Sequence, residues 1–200
     1  MTDLDFYLNF LLHAILGRLA EADALMSMAG DDIRTVADRL STRHPIAPAP
    51  LYRGLLLVPD QPYAAEPKIT FLSWSEDRNV ALWFACPRSA VSEPLAKVKP
   101  NARGYLIELP AGQPSARVLF HHSWAAALGG LSALALAHPL MGAEGQRQIE
   151  WSLRTQREVI TAPIDGLRPE RAPDLDAAAL GALERRLSPP WIIAAEGLRT

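Results

Sequence analysis

The chain has 200 residues, 49% of them apolar and 21% charged, which allows a substantial core and excludes a disordered chain. A formal net charge of −2 excludes wholesale electrostatic capture by nucleic acid and leaves only a local basic face open. Cys86 is the single cysteine, so no intramolecular disulfide can form, a cysteine-rich metal site is disfavoured, and a reducing, cytoplasmic setting is expected.

Asp3 and Asp5 precede the apolar FYLNFLLHAIL, where a secretory signal would carry positive charge, so no signal peptide is expected. Leu4, Leu8, Leu11, Leu12, Ile15, Leu16 and Leu19 recur at helical spacing and predict a helix over 3–28, stopped by Gly30. Ile33, Val36, Ala37 and Leu40 predict a second helix over 31–41. RHPIAPAP, with three prolines, cannot be regular structure. It divides a helical N-terminal extension (1–45) from a second domain (50–200).

Beyond the linker the pattern changes. LYRGLLLV, KITFLSW, GYLIEL (104–109) and ARVLFHH (116–122) predict strands, as do QIEWSL (148–153) and QREVIT (156–161). DLDAAALGALERRL (174–187) predicts a terminal helix with Leu180, Leu183 and Leu187 on one face. Residues 123–143 carry no charge and are long enough to cross a bilayer. They are mostly Ala and Gly, however, and Gly129-Gly130 weakens a helix by roughly 1 kcal/mol per residue. A buried helix is expected there, with no membrane insertion. Strands bounded by Pro, Gly and Asp, with few helices among them, predict an α+β fold.

Three polar residues interrupt apolar strands. Arg53 precedes Gly54 in LYRGLLL; it either faces water from an edge strand or reaches a ligand, with Gly54 letting something approach the backbone. Ser73 and Ser75 flank Trp74. Ser73-Trp74-Ser75-Glu76 matches a capping box, and Ser75 alone could cap a helix starting at Glu76 or Asp77. Glu158 opens the apolar Val159-Ile160 and could pair with Arg154 or Arg157.

Taken in order, Tyr52-Arg53-Gly54, then Phe71-Leu72-Ser73-Trp74-Ser75 with Ala81 and Phe84 downstream, then Gln156-Arg157-Glu158-Val159-Ile160, are one pattern. It resembles the arginine–serine–glutamate class of mono-ADP-ribosyltransferases over roughly residues 50–165. Trp74 stands where that family usually has threonine. A second glutamine-x-glutamate, Gln148-Ile149-Glu150, leaves Glu150 as the other candidate for the last motif.

The resemblance implies a split two-sheet core preceded by helices, with NAD as substrate and no metal. Glu158 would hold the ribose and stabilise positive charge as the nicotinamide bond breaks. Arg53 would bind the pyrophosphate through its planar fork of donors. Ser73 would hydrogen-bond the ribose or orient Glu158, Ser75 would help bind the cofactor, and Gly54 would contact the nicotinamide, with Phe84 or Tyr63 walling the ring. Gln156, where arginine-modifying members usually have glutamate, is a poor base and points to another acceptor on a protein or nucleic acid. Trp151 either contacts that acceptor or packs. A toxin or phage- or defence-related effector, with an antitoxin or immunity partner, fits such chemistry. A glycohydrolase using water, or a non-catalytic interaction module, are the alternatives. His121-His122 are expected on opposite faces of a strand, where they would not share a metal ion.

Overall fold

A computed structural model describes residues 2–59, 70–112, 117–129, 131, 135 and 141–189. Helices α1 (Asp3–Ile15) and α2 (Leu19–Arg43) lead to strands β1 (Leu51–Leu57) and β2 (Leu72–Ser75). Helices α3 (Arg78–Ala85) and α4 (Glu93–Val98) and strands β3 (Arg103–Leu109) and β4 (Val118–His121) follow. Helix α5 (Gly142–Trp151), strands β5 (Glu158–Thr161) and β6 (Glu170–Arg171), and helix α6 (Ala177–Leu187) come next among the described residues.

The α+β class is as expected. The sheet is not: the strands follow one hydrogen-bonded order, β4-β5-β2-β1-β3-β6, instead of a split into two sheets. The chain forms two compact units. The first comprises Met1–Ala49, Lys68–Trp74 and Ala111–Asp165, the second Pro50–Pro67, Ser75–Pro110 and Gly166–Thr200.

In the first unit, Thr2 and Asp5 form a reciprocal capping box that starts α1. The helix ends at Gly17, whose φ of +70 suits a left-handed stop, and not at Gly30. Gly30 lies within α2, beside a kink at Ala29. Tyr7, Phe10, Leu11 and Leu12 of α1 are fully buried, in one cluster with Phe71, Leu119, Phe120 and Ile160. Phe10 meets Phe71 edge to face at 5.3 Å. The Tyr7 hydroxyl donates to the carbonyl of Leu119 at 2.8 Å. Residues 1–45 thus supply much of the core around the strands of this unit.

In the second unit, β1 pairs antiparallel with β3 from Leu51↔Leu109 to Leu57↔Arg103, and with β2 at Tyr52↔Ser75. Helix α3 packs hard against them. A Cβ on Gly54 would lie 1.8 Å from the Ala81 carbonyl oxygen, and one on Gly104 2.0 Å from that of Ala85. The backbone that approaches Gly54 is therefore that of α3.

Two expected strands change. QIEWSL is the end of α5 and a π-helical turn, Ser152–Gln156. Its Ile149, Trp151 and Leu153 alternate as in a strand, but Gly145 and Ile149, four apart, form the buried stripe of a helix. QREVIT becomes strand only from Glu158. Of the charge-free segment, Leu131 and Ala135 are helical and buried, and residues 130, 132–134 and 136–140 lie outside the described residues. No described helix is long and apolar enough to cross a membrane.

Candidate active site

Strand β2 presents successive side chains to opposite faces. The hydroxyl of Ser73 donates to Oε1 of Glu158 on β5. On the other face the buried indole of Trp74 donates to Thr161 Oγ1 at 2.9 Å. Ser73 and Trp74 are adjacent, while Glu158 and Thr161 are three apart, so both ties satisfy the alternation. Trp74 here is a structural pin between β2 and β5.

The Ser73–Glu76 capping box does not form, because Ser73 is engaged with Glu158. Helix α3 is capped instead by Asp77, whose carboxylate accepts from Asn79 N–H at 2.9 Å. Ser75, in the second unit, is buried, and its hydroxyl accepts from Asp77 N–H at 2.9 Å. Ser75 therefore supports the helix start, one step ahead of the cap.

Glu158 is reached by an unusual route. Helix α5 runs into the π turn, and Arg157 then adopts φ 50, ψ 52, the left-handed region that a non-glycine residue enters only at a cost. This brings Ser152 back over β5. Its fully buried hydroxyl lies 2.7 Å from Glu158 Oε2 and 2.9 Å from Gln156 Oε1. The carboxyl is thus held by a hydroxyl on each oxygen. Ser73 and Gln156 are half-buried, whereas Glu158 is only 6% exposed.

Burial pushes the Glu158 carboxyl up to about 7, against the opposing pull of the Ser73 and Ser152 hydroxyls. It therefore exchanges a proton near neutrality. The strand-edge ion pair with Arg154 or Arg157, open from sequence, is replaced by these two hydroxyls.

Of the residues expected in a site, Ser73, Gln156 and Glu158 come together in the first unit, joined by Ser152. Glu150, the rival carboxylate, is exposed on α5 and accepts from Gln146 at 3.0 Å, one turn earlier. Arg53, Gly54 and Phe84 belong to the second unit. Arg53 is half-buried opposite Ile107, on a strand paired on both sides, so the edge-strand reading of it fails. Alternation along β1 turns Arg53 to the face away from α3, since Gly54 meets that helix. Phe84 is half-buried on α3, edge-on to Trp83 at 5.5 Å. Trp151 is half-buried at the end of α5. Tyr63 lies outside the described residues.

His121 and His122 depart from expectation. Strand β4 ends at His121 and a 3₁₀ turn begins at His122, so the two rings lie 4.4 Å apart instead of on opposite faces. Ser123 N–H donates to His121 Nδ1 at 3.2 Å, which makes this nitrogen a cap for the turn.

Ser152 was not legible as a site residue. Six positions separate it from Glu158, and only the π turn closes that distance. Comparison with protein-family models, curated proteins and solved structures gives no match.

Proposed function

We propose that the chain is an NAD-dependent mono-ADP-ribosyltransferase with Glu158 as its catalytic carboxylate. The observation that carries this reading is the hydrogen bond between Ser73 and Glu158. The serine and glutamate that the family resemblance assigns to one site are 85 residues apart in the chain, and they meet on a single buried carboxyl. Support also comes from the second hydroxyl, from Ser152, which fixes the other carboxyl oxygen.

In this reading the ionised Glu158 accepts from a ribose hydroxyl and stabilises positive charge at the anomeric carbon as nicotinamide leaves. Such preorganised stabilisation is worth about 2.7–4 kcal/mol of barrier. Ser73 keeps the carboxylate oriented. The resemblance assigns the pyrophosphate to Arg53 of the second unit, a role in which a lysine would lose the paired donors. Gln156 holds an acceptor other than arginine, on a protein or nucleic acid.

The test is incubation with NAD labelled in its adenylate half, together with a cell lysate, followed by separate protease and nuclease treatment. Label released by one treatment names the acceptor class. Free ADP-ribose with no macromolecular label would assign a glycohydrolase instead. No nicotinamide release under any condition would overturn the enzymatic reading.

A further inference from the structure

Ser152 Oγ has two oxygen atoms within hydrogen-bond distance, Glu158 Oε2 at 2.7 Å and Gln156 Oε1 at 2.9 Å. Two such contacts need two protons. Ser152 brings one, and the carbonyl oxygen of an amide brings none. Of the three groups only Glu158 can bring the second. With Glu158 neutral every contact carries a proton: its Oε2–H donates to Ser152 Oγ, the Ser152 hydroxyl donates to Gln156 Oε1, and Ser73 donates to Glu158 Oε1. With Glu158 ionised, one serine proton faces two acceptors. The oxygen that goes without it meets a serine lone pair at hydrogen-bond distance, beside a side chain that is fully buried.

We infer that Gln156 is a positioning residue acting through Ser152: its carbonyl competes with the Glu158 carboxylate for the one serine proton and so favours the neutral acid. The Gln156 amide keeps its orientation throughout. On ionisation the carboxyl proton goes to solvent, the serine proton passes from Gln156 Oε1 to Glu158 Oε2, and the Gln156 carbonyl loses that bond. Burial opposes ionisation and both hydroxyls favour it. The competition sets how much of the Ser152 contribution reaches the carboxylate.

The ionisable side chains around β5 do not supply the effect. In the sheet, β2 carries none, and β4 carries His121, opposite Val159. Arg154 in the π turn and Arg157 beside Glu158 are exposed. Helix α1, which shares the cluster of Ile160, carries Tyr7, tied to Leu119, and His13; α2 carries Asp23, which accepts from Thr70 N–H at 3.2 Å. None of these is among the causes of the shift at Glu158.

The competition is measured without turnover, by NMR titration of the intact chain, with the Glu158 side-chain carboxyl carbon assigned by its loss in Glu158→Gln. Gln156→Met keeps the length of the side chain and removes its carbonyl. The midpoint should fall by roughly half to one pH unit, since Ser152 then donates to the carboxylate alone. The same exchange made in Ser152→Ala should leave the midpoint of that background unchanged, because no shared proton remains. Ser152→Cys, a weak donor of similar shape, serves as a second background and should keep only a fraction of the shift. A midpoint that rises or holds in Gln156→Met overturns the inference. So does one that falls as far in the Ser152→Ala background, the result that a merely structural role of Gln156 would give. The bearing on catalysis rests on the ADP-ribosyltransferase reading: the acid limb of nicotinamide release should move down with the carboxyl midpoint in Gln156→Met. Absence of release would end that reading and leave the titration result standing, so the two failures are distinguishable.

Discussion

Ser73 on β2 donates its hydroxyl to Glu158 on β5, a tie between residues 85 positions apart. A hydrogen bond to a charged acceptor is worth roughly 1.5–3 kcal/mol. Ser73→Ala should therefore raise the Glu158 midpoint above its present value of about 7, because one of the two bonds favouring the ionised form is gone. Nicotinamide release at neutral pH should fall by roughly 10- to 100-fold and recover partly at higher pH. A pH profile of release, beside the carboxyl titration, checks both.

Loss of the carboxylate itself should be more severe. Glu158→Ala is expected to lower nicotinamide release by about a hundred- to a thousandfold with the fold retained by circular dichroism. Glu150→Ala, on the exposed face of α5, should leave the rate unchanged. The opposite ranking of these two variants would move the last motif to Glu150.

The raised carboxyl also carries a stability signature. Glu158 titrates near 4.5 when unperturbed and near 7 in the folded chain. Between those values the unfolded chain has lost the proton and the folded chain keeps it, so stability falls as pH rises. Relative to Glu158→Gln, the unaltered protein should lose about 3 kcal/mol from about pH 4 to about pH 8. Urea unfolding of both proteins across that range measures the difference. A constant difference would mean that the carboxyl is not buried as described.

Two glycines should respond to alanine for different reasons. At Gly17 a Cβ has nothing within 4 Å among the described residues, so Gly17→Ala should cost only the left-handed backbone penalty, about 1–2 kcal/mol. Gly54→Ala drives a Cβ into the Ala81 carbonyl of α3 and should cost about 3 kcal/mol or more. Gly104 meets the same helix at Ala85. Gly54→Ala combined with Gly104→Ala should therefore cost less than the sum of the two, since one displacement of α3 relieves both clashes. Thermal unfolding of the single and double variants tests the ranking.

Alternation made β1 and β3 legible, and the prolines of RHPIAPAP placed the break before them. The break at Gly17 was hidden because Leu16 and Leu19 continue the apolar spacing across it. QIEWSL alternates in period two over six residues, too few to outweigh the helical stripe that Gly145 begins upstream. Within the site, Ser73 and Glu158 were legible because motif order brought them to notice. The competing capping box was locally sound, and it lost because a buried carboxyl requires a donor more than an exposed helix start requires Ser73. Ser152 depends on a π turn and a left-handed arginine, neither of which has a signature in local propensity.

That turn gives chain length an authority over chemistry. Ser152 and Glu158 are joined by a segment wound one residue looser than an α turn, and the serine reaches the carboxyl only at that winding. Amino-acid exchanges at 153–155 leave the spacing intact and should be widely accepted. Removing or adding a single residue there rotates the serine away from its partner, however conservative the resulting sequence looks.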